Sequence, residues 1–324
     1  MFPHTRPSIP APTPGPDPLA EHRVARAFLL RLADQPSGRP ALEQFILSAG
    51  ALAAAEQLHR GDVPESLTAH VSTARVQAAA AGAAVDGETA ARCGARLLIP
   101  EDAQWPGTAA LTGTVGLWVR GHAGLEILSG ASITLAGSRA ASGYGTHVAA
   151  DLAGDLARGG HTVVAGGGFG IEAAASRGAL AAHAPTVAVL GCGIDRAYPA
   201  AHENLLDRIA HTGLLVSAQP PGSTPSRLRA LARNRVLATL GDATVVVEAA
   251  ARSGALHVAA AAHECGRPVM AVPGPVTSAI SMGAHQLIRQ GATLVTSGAD
   301  VLDALERAAG TSAVSGSSQT PDTP

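Results

Sequence analysis

A chain of 324 residues, 46% hydrophobic and with a formal charge of −2, can bury a sizeable core and suits one large or two modest domains. No apolar run approaches the length needed to cross a bilayer. Cys93, Cys192 and Cys265 are odd in number and widely spaced, which argues against a disulfide framework and for a reducing, cytoplasmic compartment. All 23 basic side chains are Arg, a preference that a GC-rich coding bias explains. Its consequence is that every cationic contact is made by a planar fork able to grip phosphate or stack on a base.

Residues 1 to about 19 are rich in Pro and read as a disordered leader, without the apolar core and cleavage site of a signal peptide. From Glu21 to Ala33, the residues Val24, Ala27, Phe28, Leu30 and Leu32 recur at helical spacing. Further helices are expected over Ala41–Leu58 and Leu67–Ala81, making a small helical domain of residues 20–95. Glu43, Glu56, Asp62 and Glu65 offset its Arg, which favours packing or dimerisation over contact with nucleic acid. The pattern changes at Arg96–Ile99, and Gly116–Gly121 reads as a strand entering the next domain. Trp105 and Trp118 are expected to pin this connector to the core rather than to stack on a base.

From Ile133 onward short apolar runs alternate with helices. The run Ile133–Ala136 leads into a Gly-rich turn (137–145) and a helix from Thr146 to Arg158. Thr162–Ala165 leads into a second Gly turn (166–170) and an Ala-rich helix, and Thr186–Pro199 holds a third strand and turn. A helix over His202–His211, strand Leu214–Gln219, a Pro-Gly loop and RLRALARNRVLATL, helical in its later part, come next. Strand Ala243–Ala249, a helix to Cys265, strand Pro268–Pro273, a small strand ATLVT and a helix Ala299–Ala308 close the domain, leaving a polar tail from residue 311. Such alternation predicts an α/β fold, a Rossmann-like doubly wound sheet of six or seven parallel strands over residues 96–310, preceded by the small helical domain. Ligand is then expected at the carboxyl ends of the strands, where Gly turns and helix N-termini suit phosphate.

The polar residues on that edge are Ser138, Arg139, Tyr144, Arg196, Tyr198, Arg233, Asn234, Arg235, Glu248, Arg252 and Ser253. Hydride transfer is disfavoured, because GSRAASGYG puts Arg and Ser where a dinucleotide turn needs its second Gly, and GGGFG lacks the acid that would follow. The thirteen His are scattered, and His257, His263 and Cys265 lack the spacing of a tetrahedral metal site, so neither metal nor cofactor is expected. Cys192, between two glycines at a strand end, reads as a small residue filling a tight turn rather than a nucleophile. The basic cluster is more informative: Arg227, Arg229, Arg233 and Arg235 fall within nine residues, and Arg252-Ser253-Gly254 opens the next helix. Guanidiniums beside the turn residues Gly137, Gly166, Gly167, Gly168, Gly170 and Gly254 resemble a groove for a run of phosphates. With two Tyr and four Phe in the chain, backbone contacts should dominate over stacking.

These residues carry a resemblance to the DNA-processing protein A family, also called Smf, over roughly Arg96 to Gly298. AGSRAASGYGTHVA is similar to the family's G-[ST]-R…Y-G turn, AGGGFGIEAAASRGAL to its S-G…G-I-D…H…A-L stretch, and ARNRVLATL to R-N-R-I-I-A-x-L. VLGCGIDRAYPAAHENL, the Pro-Gly loop, VVVEAAARSGAL and GRPVMAVPGPVTSAISMGAHQLIRQGA extend the match. Glu172 stands where the family has Asp, and Ser176 where it has His. The resemblance implies a dimer without catalytic turnover that binds single-stranded DNA through Arg139, the Gly-rich edge and basic residues near Arg196 and Arg233 to Arg235. It also implies protection of incoming DNA in natural transformation and loading of RecA. The alternative is a nucleotide-processing enzyme resembling the lysine-decarboxylase-like phosphoribohydrolases, with Glu248 as acid and Arg252 as phosphate clamp, although their P-G-G-x-G-T-x-x-E signature is missing. A ligand-free interaction scaffold is the third reading.

Overall fold

The computed structural model describes residues 17–34, 36–105, 111–128 and 131–315; most of the Pro-rich leader and residues 316–324 lie outside them. Four helices come first: α1 (Ala20–Ala33), α2 (Arg39–Ala49), α3 (Ala51–His59) and α4 (Thr73–Arg92). The expected Ala41–Leu58 helix is two helices, because Gly50 takes φ 81° between them. The expected Leu67–Ala81 helix instead starts at Thr73, where the Ser72 hydroxyl accepts the Arg75 N–H at 3.3 Å, and continues to Arg92. In α1 the residues Ala27, Phe28, Leu30 and Leu32 are buried as expected, but Val24 is 70% exposed and Leu29 takes its place in the core. The leader's last residues belong to the fold: Asp17 accepts the Leu19 N–H at 3.0 Å and the Arg23 guanidinium at 2.7 Å, which fixes the entry to α1.

The sheet has nine strands: β1 (Ala95–Leu98), β2 (Leu117–Arg120), β3 (Ser132–Ala136), β4 (Thr162–Gly166), β5 (Thr186–Leu190), β6 (Leu214–Ser217), β7 (Ala243–Val246), β8 (Val269–Ala271) and β9 (Thr293–Leu294). Their order is β1-β2-β6-β5-β4-β3-β7-β8-β9. β1 and β2 pair antiparallel and dock antiparallel on β6, while β6 through β9 run parallel in that order across the sheet. Every residue of β3 to β7 is buried, as it must be in a parallel sheet covered on both faces. The six strands β5-β4-β3-β7-β8-β9 have the doubly wound order in which the chain reverses direction beside its first strand. That switch point lies between β3 and β7, where Ala136 is level with Val246.

The crossover helices are α5 (Gly143–Arg158), α6 (Ile171–Ala181), α7 (Glu203–Thr212), α8 (Arg227–Leu240), α9 (Ala255–Glu264) and α10 (Met282–Arg289), and α11 (Gly298–Ser315) follows the last strand. The whole of RLRALARNRVLATL is helical, not only its later part, because the Ser226 hydroxyl accepts the Arg229 N–H at 3.2 Å and starts α8 at Arg227. α11 runs five residues into the expected tail, since no Gly or Pro interrupts 311–315. α5, α6 and α11 share one apolar cluster with the sheet, and α8 and α9 share another on the opposite face. A third joins α1–α4 to Trp118, Leu190, Leu206 and Ile209, so the helical layer and the sheet have a common core. Trp118 is buried in it and Trp105 packs against the α8 and α9 cluster, so both tryptophans serve packing.

Two bidentate ion pairs fasten α1 to the segment after β1: Arg23 to Asp102 at 2.6 and 2.7 Å, and Arg26 to Glu101 at 2.8 Å twice. Burial, the largest single influence, raises both carboxyls, but the Arg hydrogen bonds, the Arg charges and the backbone N–H bonds together hold both below the usual carboxylate range. Groups shifted down contribute stability above their unfolded value, about 4, and lose it as pH falls through the folded value. Urea titrations at a series of acidic pH values should therefore give a shallower loss of stability below about pH 4 for Asp102→Asn than for the unaltered chain. Parallel curves would contradict the assignment.

Candidate nucleic-acid interface

At the switch point the chain leaves β3 into Gly137, and the Ser138 N–H donates to the Glu248 carbonyl at 2.7 Å, tying the ends of β3 and β7 together. The Glu248 carboxylate accepts the Ser142 N–H at 2.8 Å and the Ser142 hydroxyl at 2.7 Å, while Ser142 Oγ accepts the Gly145 N–H at 3.1 Å. Glu248 is thus a buried support for the N-terminus of α5. The carboxylate that the nucleotide-enzyme reading would use as an acid is therefore engaged by the start of α5.

The second Gly turn is built around an ion pair. Glu172, in the first turn of α6, accepts the Gly168 N–H at 2.8 Å and Arg233 Nη1 of α8 at 2.9 Å; both side chains are buried. Arg233 Nη2 also donates to the Asn234 side-chain carbonyl at 3.2 Å. A Cβ on Gly166 would meet both the guanidinium and the carboxylate, so only glycine lets the turn close over the pair. Gly170 takes φ 70° and lies against the Ser138 and Arg139 carbonyls, while the Ile171 N–H donates to Ser138 O at 3.2 Å. The two Gly turns are therefore one laced unit.

Two adjoining hollows open on this unit, with volumes of about 360 and 490 Å³. The first is lined by Gly167, Gly168, Phe169, Leu190, Tyr198, Pro199 and Ser226, the second by Gly137, Ser138, Asn234, Arg252, Ser253, Gly254 and His257. Arg139, Arg227, Glu172 and Arg233 line both, so the hollows make one continuous groove. Arg139, Arg227 and Arg252 are exposed there and, among the described residues, make no ion pair. Arg233 lies on the floor, neutralised by Glu172.

The sequence-predicted residues thus divide. Gly137, Ser138, Arg139, Gly167, Gly168, Asn234, Arg252, Ser253 and Gly254 line the groove, with Gly166 and Gly170 shaping the turn beneath it. The α8 arginines do not form one patch. Arg235 lies beside Arg39, Glu43 and Thr112, away from the groove, because two residues along a helix are about 200° apart. Arg229 pairs with Asp34 at the end of α1, at 2.7 and 2.9 Å. Arg196 is exposed but lines neither hollow. Tyr144 turns away, its hydroxyl donating to Pro273 O at 2.7 Å. Sequence reading left Arg227, Phe169, Tyr198 and His257 out of the bound set. Arg227 was legible as the residue after a capping Ser, and Phe169 as an aromatic between glycines. Cys192 is buried, and burial and the neighbouring Asp195 push its thiol up to about 11, which suits a packing role. Among the described residues no three His, Cys, Asp or Glu side chains are grouped to hold a metal.

Glu172→Gln leaves the buried Arg233 uncompensated and should cost about 3 kcal/mol in urea denaturation. A loss below about 1 kcal/mol would show that the pair does not support the turn.

Residues 96–306 match the family model described as DNA recombination-mediator protein A. The chain is 43% identical over 300 residues to the putative DNA processing protein DprA of Mycobacterium tuberculosis, covering 89% of this chain and 75% of that one. It is 38% identical over 213 residues to the protein Smf of Escherichia coli, covering 64% and 56%. The structure is similar to that of DNA processing protein A from Streptococcus pneumoniae, with TM-score 0.69, 28% identity and 88% and 97% of the chains covered. It shares its fold with DNA processing protein A from Helicobacter pylori, a protein with a described single-stranded DNA binding mode, with TM-score 0.58, 23% identity and coverage of 66% and 96%. With the family model spanning most of the chain and the groove built from its motifs, this protein belongs to the DNA recombination-mediator protein A family.

Proposed function

We propose that the groove binds single-stranded DNA by its phosphates, and that the chain acts as a recombination mediator that protects incoming strands and loads RecA during natural transformation. The observation that carries the reading is the placement of Arg139, Arg227 and Arg252, three exposed guanidiniums without carboxylate partners, along one Gly-lined rim at the switch point of the sheet. In a chain of net charge −2 this rim is locally cationic, and guanidinium forks match phosphate oxygens. The Helicobacter pylori protein of the same fold is named for single-stranded DNA binding, which agrees with this use of the rim. Among the described residues the rim is a narrow edge of turns and helix starts with no recognition helix projecting from it, which favours single strands over duplex. The bound set proposed here replaces Arg196 and Arg235 with Arg227, and treats Tyr144, Gly166, Gly170 and Arg233 as supports of the rim rather than contacts. The reading assigns no catalytic residue and no cofactor, and places the protein in the cytoplasm as a homodimer.

Filter binding with oligo-dT tests it. Arg139→Ala, Arg227→Ala and Arg252→Ala should each weaken binding roughly tenfold across sequences. Each should also reduce the slope of log K against log salt by about 0.7. Arg235→Ala should change neither quantity. Equal effects for all four variants, or none for any, would overturn the assignment. The mediator role predicts faster RecA nucleation on coated single strands, and the dimer a sedimentation mass about twice 32.3 kDa; a monomer inert toward RecA would limit the function to DNA binding.

A further inference from the structure

We propose that the outward side of α8, together with the stripe of α2 beside it, is a docking surface for an acidic segment of a partner protein, one whose carboxylates are set among leucine-like side chains. The surface lies outside the groove, and its assignment does not depend on DNA binding. Leu228, Leu231 and Arg235 stand at i, i+3 and i+7 of α8, which puts them on one side of the helix. A helix that only covers a sheet turns polar side chains outward. Here Leu228 is 56% exposed and Leu231 40%, although α8 already buries Val236, Leu237 and Leu240 against the sheet. Arg39, Glu43 and Leu47 recur every four residues along α2 and make a second stripe, with Leu47 51% exposed. The two stripes meet. Ala232 and Arg235 share a notch with Arg39, Glu43 and residues 112–114, and Gly113 lies against Leu47. Exposed leucines gathered in this way around one notch mark an interaction site more than scattered surface residues do.

Charge selects the occupant. Glu43 is held by Arg39 at 2.8 Å, and neither α8 nor residues 111–115 contain an acid. Arg235 is exposed and, among the described residues, makes no ion pair. The notch is therefore net cationic with apolar flanks, which complements carboxylates interspersed with apolar side chains. A second copy of this chain fits poorly, because a two-fold contact lays a patch against itself and sets Arg235 against its own counterpart. A nucleic-acid strand leaves the leucines unanswered, since aliphatic side chains offer a base no aromatic face to stack on. Arg235, which the groove does not use, thereby gains a role. Leu231 also lines the second hollow, so a docked segment would lie alongside the bound strand.

Fluorescence anisotropy of the full chain with a labelled peptide of repeating Asp-Asp-Leu-Leu units tests the surface. The peptide should bind, less tightly as salt rises, and unlabelled versions with Asn for Asp or Ser for Leu should fail to compete. Arg235→Ala, Leu228→Ser and Leu47→Ser should each weaken peptide binding about tenfold. Oligo-dT affinity should stay at the unaltered value in all of them. The altered side chains are exposed, and thermal melting checks that each variant remains folded. No binding of the peptide, or equal binding by every variant, would overturn the proposal. A fall in oligo-dT affinity for Arg235→Ala and Leu47→Ser would assign the surface to DNA, and a halved sedimentation mass for Leu47→Ser would make it a contact between copies; either result overturns a docking site for an acidic partner.

Discussion

The groove depends on one buried ion pair. α6 packs on one face of the sheet and α8 on the other, so Glu172 and Arg233 meet only by passing over the carboxyl end of β4. That crossing occupies the space where a side chain at position 166 would stand, and glycine there is the condition for it. A buried pair of this kind is weak as a source of net stability but strongly resists losing one member. Its value here is positional. It fixes the start of α6 against the middle of α8 from the opposite layer and holds the Gly168 N–H, so the rim above has a single shape before any ligand arrives.

Charge on the rim is set by which arginines are already engaged. Arg23 and Arg26 close α1 onto residues 101 and 102, Arg31 meets the buried Asp86, Arg229 meets Asp34 and Arg233 meets Glu172. Arg139, Arg227 and Arg252 are left over in one place. A chain that is slightly acidic overall thus presents a cationic track drawn from three separate segments.

The architecture was legible because its causes are local. Fully apolar runs of four or five residues, Gly turns after them and helices beyond are what a doubly wound parallel sheet requires, and β3 to β7 follow that pattern. Element limits were less legible where a single residue decides them, as Gly50 does between α2 and α3 and Ser226 does at the start of α8. The site was half legible. Gly137, Arg139 and Arg252 follow directly from turns at strand ends. The density of Arg in α8 misled, because helical rotation sends Arg229 and Arg235 away from the groove that Arg227 and Arg233 line, and partners such as Asp34 lie almost two hundred residues away in sequence. Phe169 was passed over because composition argued against stacking, yet the turn places it, 47% exposed, on the wall of the first hollow.

The bond from Arg229 to Asp34 bears on how this protein should be dissected. α8 begins two residues before Arg229, at Arg227, so its first turn is anchored from outside the sheet by the last turn of α1. A truncated piece starting near Arg96 would strip that anchor and uncover Trp118, Leu190 and Ile209 on the side the first four helices cover. Such a fragment would carry every motif by which the family is identified, yet its helix would start loosely and its newly bared flank would favour self-association. Measurements on the isolated sheet would then understate the grip of the intact chain.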